Sequence, residues 1–406
     1  MARPMRLVLI ADAFPPMRSS AAAQLWDLST EMVRQGHRLT VLVPSPGLDR
    51  AWGIEEMDGI QVVRLNAPRT KDIGYLRRTV SELMLSFVMA WNLRKIPLAA
   101  EQWDGVIWYS PTIFLGPLAR FLKRRGACRG YLIVRDIFPE WAVDLGLLKR
   151  GAVYRFFKWI EHYQYSVADV IGVQTPANIP YFDRWAHAGR RVEVLQNWLS
   201  DASDIGSSIS VADGPLAGRT VFVYAGNMGV AQGMGVFIDL TERMRERKDI
   251  GFLFVGRGSD AGWMREEAQQ RGLDNIVFHD EIDASEIPGL YAQCHAGIVA
   301  LDPRHKTHNI PGKFLSYMRA GLPVLARINP GNDLESLVRE EGVGRVCTED
   351  SVETLAEMAT LLAEGVVSDG TMSVRCRSLF EKRFSPTMAV EQVAAGLDAC
   401  QSVTAG

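Results

Sequence analysis

The sequence predicts an α/β protein of two doubly wound domains in tandem, and two observations carry that prediction. Short β-branched runs alternate with amphipathic helical stretches along most of the chain, the pattern of parallel sheets covered by helices. The alternation lapses once, after Asn197, and restarts at Thr220. At roughly 100 to 200 residues per domain, the 406 residues suffice for two domains that each bury a core.

In the first half the strand candidates are RLVLIA from Arg6, LTVLV from Leu39, QVVRL from Gln61, GVIWY from Gly105, YLIV from Tyr131, VIGVQ from Val170 and VEVL from Val192. Helical patterns lie between most of them. The stretch WLSDASDIGSSISVADGPLAG keeps neither period and reads as an interdomain linker over 200–218. A second set of strands follows: TVFVY from Thr220, GFLFVG from Gly251, NIVFH from Asn275, AGIVA from Ala296, PVLA from Pro323 and GRVC from Gly344. The domains expected are therefore 1–199 and 219–384, with a last helix at about 385–403 that packs back on the first.

Composition narrows the function. A net charge of −2 with 23% charged residues gives no bulk reason to expect nucleic acid as a partner. Cys128, Cys294, Cys347, Cys376 and Cys400 are scattered and form no CxxC pair, which argues against a disulfide framework or zinc site and fits a reducing cytoplasm. The apolar run near the N-terminus reads as a strand rather than a leader. The longest apolar helix candidate, from Val80, is broken by Ser81, Glu82 and Ser86 and falls short of the roughly 20 residues that span a bilayer.

In open α/β sheets ligands sit beyond the carboxyl ends of the strands, so the loops there carry the candidate site. After the first strand, Ser19 and Ser20 stand where a helix N-cap belongs, and the N–H groups of that helix start can face a ligand or be plainly capped. TVFVY runs into AGNMGVAQGMG, in which Gly226, Gly229, Gly233 and Gly235 permit close backbone approach. The helix that follows offers an anion about 0.3 to 1 kcal/mol through its dipole. This is either a phosphate cradle without Lys or Arg or a tight turn without a ligand. VGRGSD, from Val255 to Asp260, is a second such loop, and neither matches a dehydrogenase fingerprint. Lys313, in the first turn of a helix opened by Pro311, is the candidate for the missing charge, against the alternative of a solvated helix face. Arg135 and Asp136 leave the strand YLIV together, aimed into a cleft or pinning a loop. His305 and His308 lack a carboxylate or cysteine cluster, so no metal is assigned.

FPP before a small-residue helix start, RQGHRLTVLVP, VRDIFPEWAVDLGLL, ADVIGVQTP, VLQNW, YAGNMGVAQGMG, FLFVGRG, NIVFHDEI, LYAQCHAGIVAL and IPGKFLSYMRAGLPVLA fall in one order along nearly the whole chain. In that order they resemble family-4 glycosyltransferases of GT-B architecture, and within them bacterial enzymes of O-antigen and surface-polysaccharide assembly, including L-fucosamine transferases. The resemblance implies two Rossmann-like domains facing a central cleft, a nucleotide-sugar donor held mainly by the C-terminal domain, and transfer with retention. It implies no required metal or other cofactor.

Residue by residue, Asn227 and Gln232 stand where the broader family has an Arg and a Lys on the donor diphosphate, so the loop would act through backbone N–H groups and amides. His308 and Ser316 replace two glutamates that bracket the donor sugar, and Arg135 replaces a histidine near the sugar 6-position, a change that fits a 6-deoxy donor. Arg257 and Glu281 fall near the diphosphate and the base. Gly226, Met228, Gly229, Gly233, Gly256, Ile310, Pro311, Gly312 and Phe314 complete the donor set with Ser19 and Ser20. Catalytic roles fall to Arg135, Asp136 and Lys313.

Arg69 to Lys95 puts basic residues at both ends of an apolar helix, and Lys123, Arg124 and Arg125 add to them. Each cation near an anionic bilayer contributes about 1 kcal/mol; the alternative is a helix packed into its domain. The resemblance implies a polyprenyl-diphosphate-linked saccharide acceptor and peripheral attachment to the cytoplasmic face of the inner membrane. The activity expected is transfer of an N-acetylated 6-deoxyhexosamine from a UDP-sugar to a lipid-linked saccharide in lipopolysaccharide, O-antigen or capsule biosynthesis. Its rivals are a UDP-sugar 2-epimerase of the same fold and a non-catalytic nucleotide-sugar-binding protein.

Overall fold

A computed structural model describes residues 3–71, 73–96, 101–144, 146–202, 205–302 and 310–398. The chain divides into two compact units, one running to Gln196 and resuming at Pro386, the other Asn197–Ser385.

The N-terminal unit runs β1 (Arg6–Ile10), α1 (Ser20–Arg34), β2 (Arg38–Pro44), β3 (Trp52–Met57), β4 (Ile60–Leu65), α2 (Tyr75–Leu93), β5 (Gly105–Ser110), α3 (Gly116–Gly126), β6 (Arg129–Val134), α4 (Glu140–Asp144), α5 (Ala152–Val167), β7 (Val170–Val173), α6 (Asp183–His187) and β8 (Arg191–Val194). Its sheet has the order β3-β4-β2-β1-β5-β6-β7-β8. Only β3 runs antiparallel. The chain turns from one side of the sheet to the other between β1 and β5, so the loops after these strands flank the crevice. Central β5 is buried at every residue, which is why its run is apolar without alternation.

The edge strand β3 is absent from the sequence-based reading. Its run, WGIEEM, is half exposed and too polar to stand out. A local signal was nevertheless present: Met57 faces Ile60 across Asp58-Gly59, whose φ values of 49° and 77° are those a two-residue hairpin turn of type I′ requires.

The C-terminal unit runs β9 (Thr220–Ala225), α7 (Gly235–Arg243), β10 (Ile250–Val255), α8 (Ala261–Gln270), β11 (Ile276–His279), α9 (Ile287–Tyr291), β12 (Ala296–Ala300), α10 (Gly312–Ala320), β13 (Val324–Arg327), α11 (Asp333–Glu341), β14 (Gly344–Cys347), α12 (Val352–Ser368) and α13 (Met372–Arg383). Its wholly parallel sheet has the order β11-β10-β9-β12-β13-β14. Here the switch lies between β9 and β12.

The stretch 200–218, expected as a linker, is part of this unit. Ile209, Val211 and Leu216 are buried in the core beside Val223 and Leu253, and the Gln293 amide bonds Ile209 O and Val211 N, both at 2.9 Å. Three apolar residues spaced irregularly among polar ones dock an irregular, turn-rich segment without leaving a period to read. The last helix, α14 (Pro386–Leu397), belongs to the N-terminal unit, where Gln392 bonds Glu193 at 3.0 Å and Val194 O at 2.8 Å.

Each unit also uses a histidine as a backbone acceptor, His37 buried and His295 at the surface with its ring partly desolvated. His37 Nδ1 accepts the Met5 N–H at 3.2 Å, and His295 Nδ1 accepts the Val221 N–H at 3.1 Å. Burial lowers both pKa values, keeping the rings neutral and able to accept.

Candidate functional site

The two glycine loops of the C-terminal unit lie against each other. Beyond the strand ends, Gly226 N–H donates to Val255 O at 2.8 Å, Met228 N–H to Arg257 O at 2.8 Å, and Asp260 N–H to Met228 O at 3.0 Å. A Cβ on Gly256, at φ +140°, would strike the Gly226 carbonyl, and one on Gly258, at φ +151°, the Met228 carbonyl. The glycines of VGRGSD thus serve the packing of loop on loop. That explains the second loop without a ligand and leaves the first as the one whose exposed edge can receive an anion.

Lys313 meets that edge. Pro311 caps α10 in an extended conformation, which places Lys313 in the first turn. The Lys313 ammonium stands 4.9 Å from the centroid of the Tyr224 ring, and a Cβ on Gly226 would lie 2.5 Å from Nζ. Tyr224 in turn donates its hydroxyl to Asn227 O at 2.5 Å, tying the ring under the cation to the loop. Lys313 is half-buried, and its burial lowers its pKa. No carboxylate among the described residues pairs with it. A desolvated cation beside the positive end of a helix and a glycine loop, at the switch point of a parallel sheet, is an arrangement an anion completes.

The loop amides bond to each other and to the loop backbone. Gln232 Oε1 accepts from Asn227 Nδ2 at 3.1 Å and from Gly229 N at 3.2 Å, so the two residues at the places of the broader family's cations latch the loop to itself. Gly233, at φ 58°, ends the short turn that Gln232 closes. The Met228 side chain is wholly buried, leaving only its backbone at the loop.

The other expected donor residues scatter. Arg257 and Glu281 pair with each other at 3.0 Å on the surface, at 80% and 57% side-chain exposure, an arrangement worth about 0 to 1 kcal/mol. Ile310 and Phe314 are core residues, Phe314 edge-on to Phe384 at 5.9 Å. Gly312 opens α10. Ser316 lines a cavity with Tyr291, His295 and Met372, beyond the opposite end of the sheet from the glycine loops. His305 and His308 lie outside the described residues.

In the N-terminal unit Ser19 is the N-cap of α1, its hydroxyl accepting Ala22 N–H at 3.2 Å, and Ser20 is that helix's exposed first residue. Arg135 is 6% exposed and donates to Leu195 O at 2.9 Å and Gln196 O at 3.4 Å. Its guanidinium holds the exit of β8 to the end of β6, and Asp136 beside it is exposed yet partly desolvated, which raises its pKa. Glu140 pins its loop, accepting from Tyr154 at 2.7 Å and pairing with Lys158 at 2.8 Å.

Sequence reasoning missed two groups at strand ends. Asp12 follows β1, and its buried Oδ1 has no hydrogen-bond partner among the described residues. Burial raises its pKa and that of nearby Glu82. Arg327 closes β13 at 6% exposure and reaches the Asp350 carboxylate at 2.5 Å. The signal was the one used for Arg135, a charged residue ending an apolar strand, here PVLAR.

Two units of this kind in one chain, with a glycine-rich loop after the first strand of the second, make the GT-B fold of glycosyltransferases. Residues 20–198 match the glycosyl transferase 4-like domain and residues 219–364 the glycosyl transferases group 1 domain. The chain belongs to these glycosyltransferase families. It is 24% identical over 341 residues to a Pseudomonas aeruginosa protein named as the glycosyltransferase WbjE, covering 81% of this chain and 82% of that one. It is 22% identical over 380 residues to WcaI of Escherichia coli (strain K12), named for colanic acid biosynthesis, covering 86% of this chain and 90% of WcaI. Among solved structures, Anabaena Alr3699/HepE in complex with UDP superposes with a TM-score of 0.62 at 14% identity, over 96% of this chain and 99% of that one.

Proposed function

We propose that the protein transfers a sugar from a UDP-sugar to a lipid-linked saccharide at a membrane surface, with retention of anomeric configuration. The observation that carries this reading is the half-buried Lys313 ammonium, without a carboxylate partner among the described residues, set against Gly226 and Tyr224. As the glycosidic bond to the donor breaks, negative charge gathers on the departing diphosphate, and Lys313, the first turn of α10 and the loop stabilise it in place. HepE binds UDP on the same fold, which supports the choice of nucleotide. The reaction then needs no metal, and a rate unchanged by EDTA is expected. An N-acetylated 6-deoxyhexosamine remains the proposed sugar.

The acceptor side rests on α2. Leu85, Met89 and Leu93 face the core, while Leu76, Val80, Met84, Phe87 and Trp91 form an exposed stripe on the other face. Arg77, Arg94 and Lys95 are exposed beside it. Lys123 does not join them, being paired to Asp169 at 2.5 Å. No helix among the described residues is long and apolar enough to cross a membrane. An aromatic and cationic stripe of this kind suits the interface of an anionic bilayer, where a lipid-linked acceptor lies on the cytoplasmic face.

The test is incubation of the protein with radiolabelled UDP-amino sugars and inner membranes. Label in the solvent-extractable lipid supports the proposal. A donor altered without acceptor would point to the epimerase, and UDP-sugar bound but unchanged would point to a binding protein.

A further inference from the structure

The loop Tyr224–Gly235 contains neither Lys nor Arg, and Lys313 is one positive charge facing a group that carries two or more negative ones. Arg327 stands on the other side of the same loop. It closes β13, while Gly233 ends the turn after β9 and Asp302 follows β12. These three exits adjoin in the sheet order β9-β12-β13 and bound the crevice where the chain reverses direction. A Cβ on Gly233 would lie 3.1 Å from Arg327 Nη1 and 3.4 Å from the Asp302 Cα. The guanidinium therefore abuts the loop backbone at a point that a side chain would close.

The electrostatics point the same way. The Arg327 side chain is 7% exposed, whereas the Asp350 carboxylate it meets is 82% exposed and largely hydrated. Its Nε has no hydrogen-bond partner among the described residues. Burying a guanidinium is unfavourable unless its donors are satisfied, and a planar fork of donors matches phosphate oxygens in pairs. We infer that Arg327 is a second cation of the donor diphosphate site, approaching from the β13 side while Lys313 approaches over Tyr224. This rests on the UDP-sugar reading above. A brace between β13 and the loop before α12 would explain the Asp350 contact but not the position against Gly233.

Titration of UDP and uridine into the full-length protein separates these roles. The account expects Arg327→Ala to weaken UDP at least about tenfold with uridine affinity unchanged, because only the phosphates meet the guanidinium. Arg327→Lys, which keeps the charge and most of the packing, should lose less and guards against a variant that fails to fold. Asp350→Asn breaks the brace alone and should leave the UDP-to-uridine ratio within about twofold of the parent. An unchanged ratio in folded Arg327 variants would overturn the assignment while the donor reading stood. Parent protein that bound no UDP would overturn both.

Discussion

The Lys313 ammonium stands 4.9 Å from the centroid of the Tyr224 ring. A cation over an aromatic face gains about 0.5 to 2 kcal/mol, more as water is excluded. That contact holds the charge over the glycine loop before any donor arrives, so little reorganisation is left for the reaction step.

Replacing Lys313 should therefore separate function from stability. Lys313→Ala is expected to lower kcat/KM for the donor by about 2 to 3 kcal/mol, a loss on the order of 30- to 150-fold. Burial lowers the Lys313 pKa, so below its unfolded pKa the charged form is disfavoured by folding. Removing it should leave the thermal midpoint unchanged or higher. Steady-state kinetics and a melting curve on the same sample check both halves.

Glycines in the two loops should fail differently. Gly226→Ala, at φ +142°, is strained too, but its Cβ meets only Lys313 Nζ at 2.5 Å, the mobile end of a side chain, so it should weaken UDP binding along with a stability loss smaller than that at Gly256. Gly256→Ala meets the Gly226 backbone, which cannot move aside, at φ +140°. It should lose about 1 to 3 kcal/mol of stability. Denaturant melts alongside UDP titrations distinguish the two.

His37 and His295 make stability fall on acidification. Both folded pKa values lie below the ordinary 6.5, with desolvation the cause. As pH drops through 6.5 the unfolded chain takes up protons that the folded one does not, so stability declines until the folded pKa values are passed. His37→Gln and His295→Gln should each flatten the dependence of the melting temperature between about pH 7.5 and 5.5. Slopes equal to the parent's would remove these rings as its source.

Exchanging the stripe residues Phe87 and Trp91 together for Glu should abolish flotation with anionic liposomes at low salt while leaving UDP affinity in solution unchanged. Parent protein that does not float would count against the membrane face, and a floating variant would place the contact elsewhere.

Much of this was legible in the sequence, for physical reasons that also mark its limits. Parallel strands buried on both faces announce themselves as apolar runs, so the second sheet was read strand for strand; β3, exposed at an edge, was not. The segment 200–218 hid its packing because Ile209, Val211 and Leu216 follow no period. Lys313 was legible because a lysine in a helix's first turn opposes the dipole. Arg135 and Arg327 carry the same signal, a cation at the end of a strand, and only their surroundings tell them apart: one turns to the carbonyls of Leu195 and Gln196, the other lies against Gly233.

The central claim, a diphosphate site formed by the glycine loop and Lys313, is tested most directly by calorimetric titration of UDP, GDP, CMP and dTDP in the presence of EDTA, with the parent protein and Lys313→Ala. The account predicts selective binding of UDP by the parent and a loss of at least about tenfold in the variant. UDP bound equally well by both proteins would contradict it.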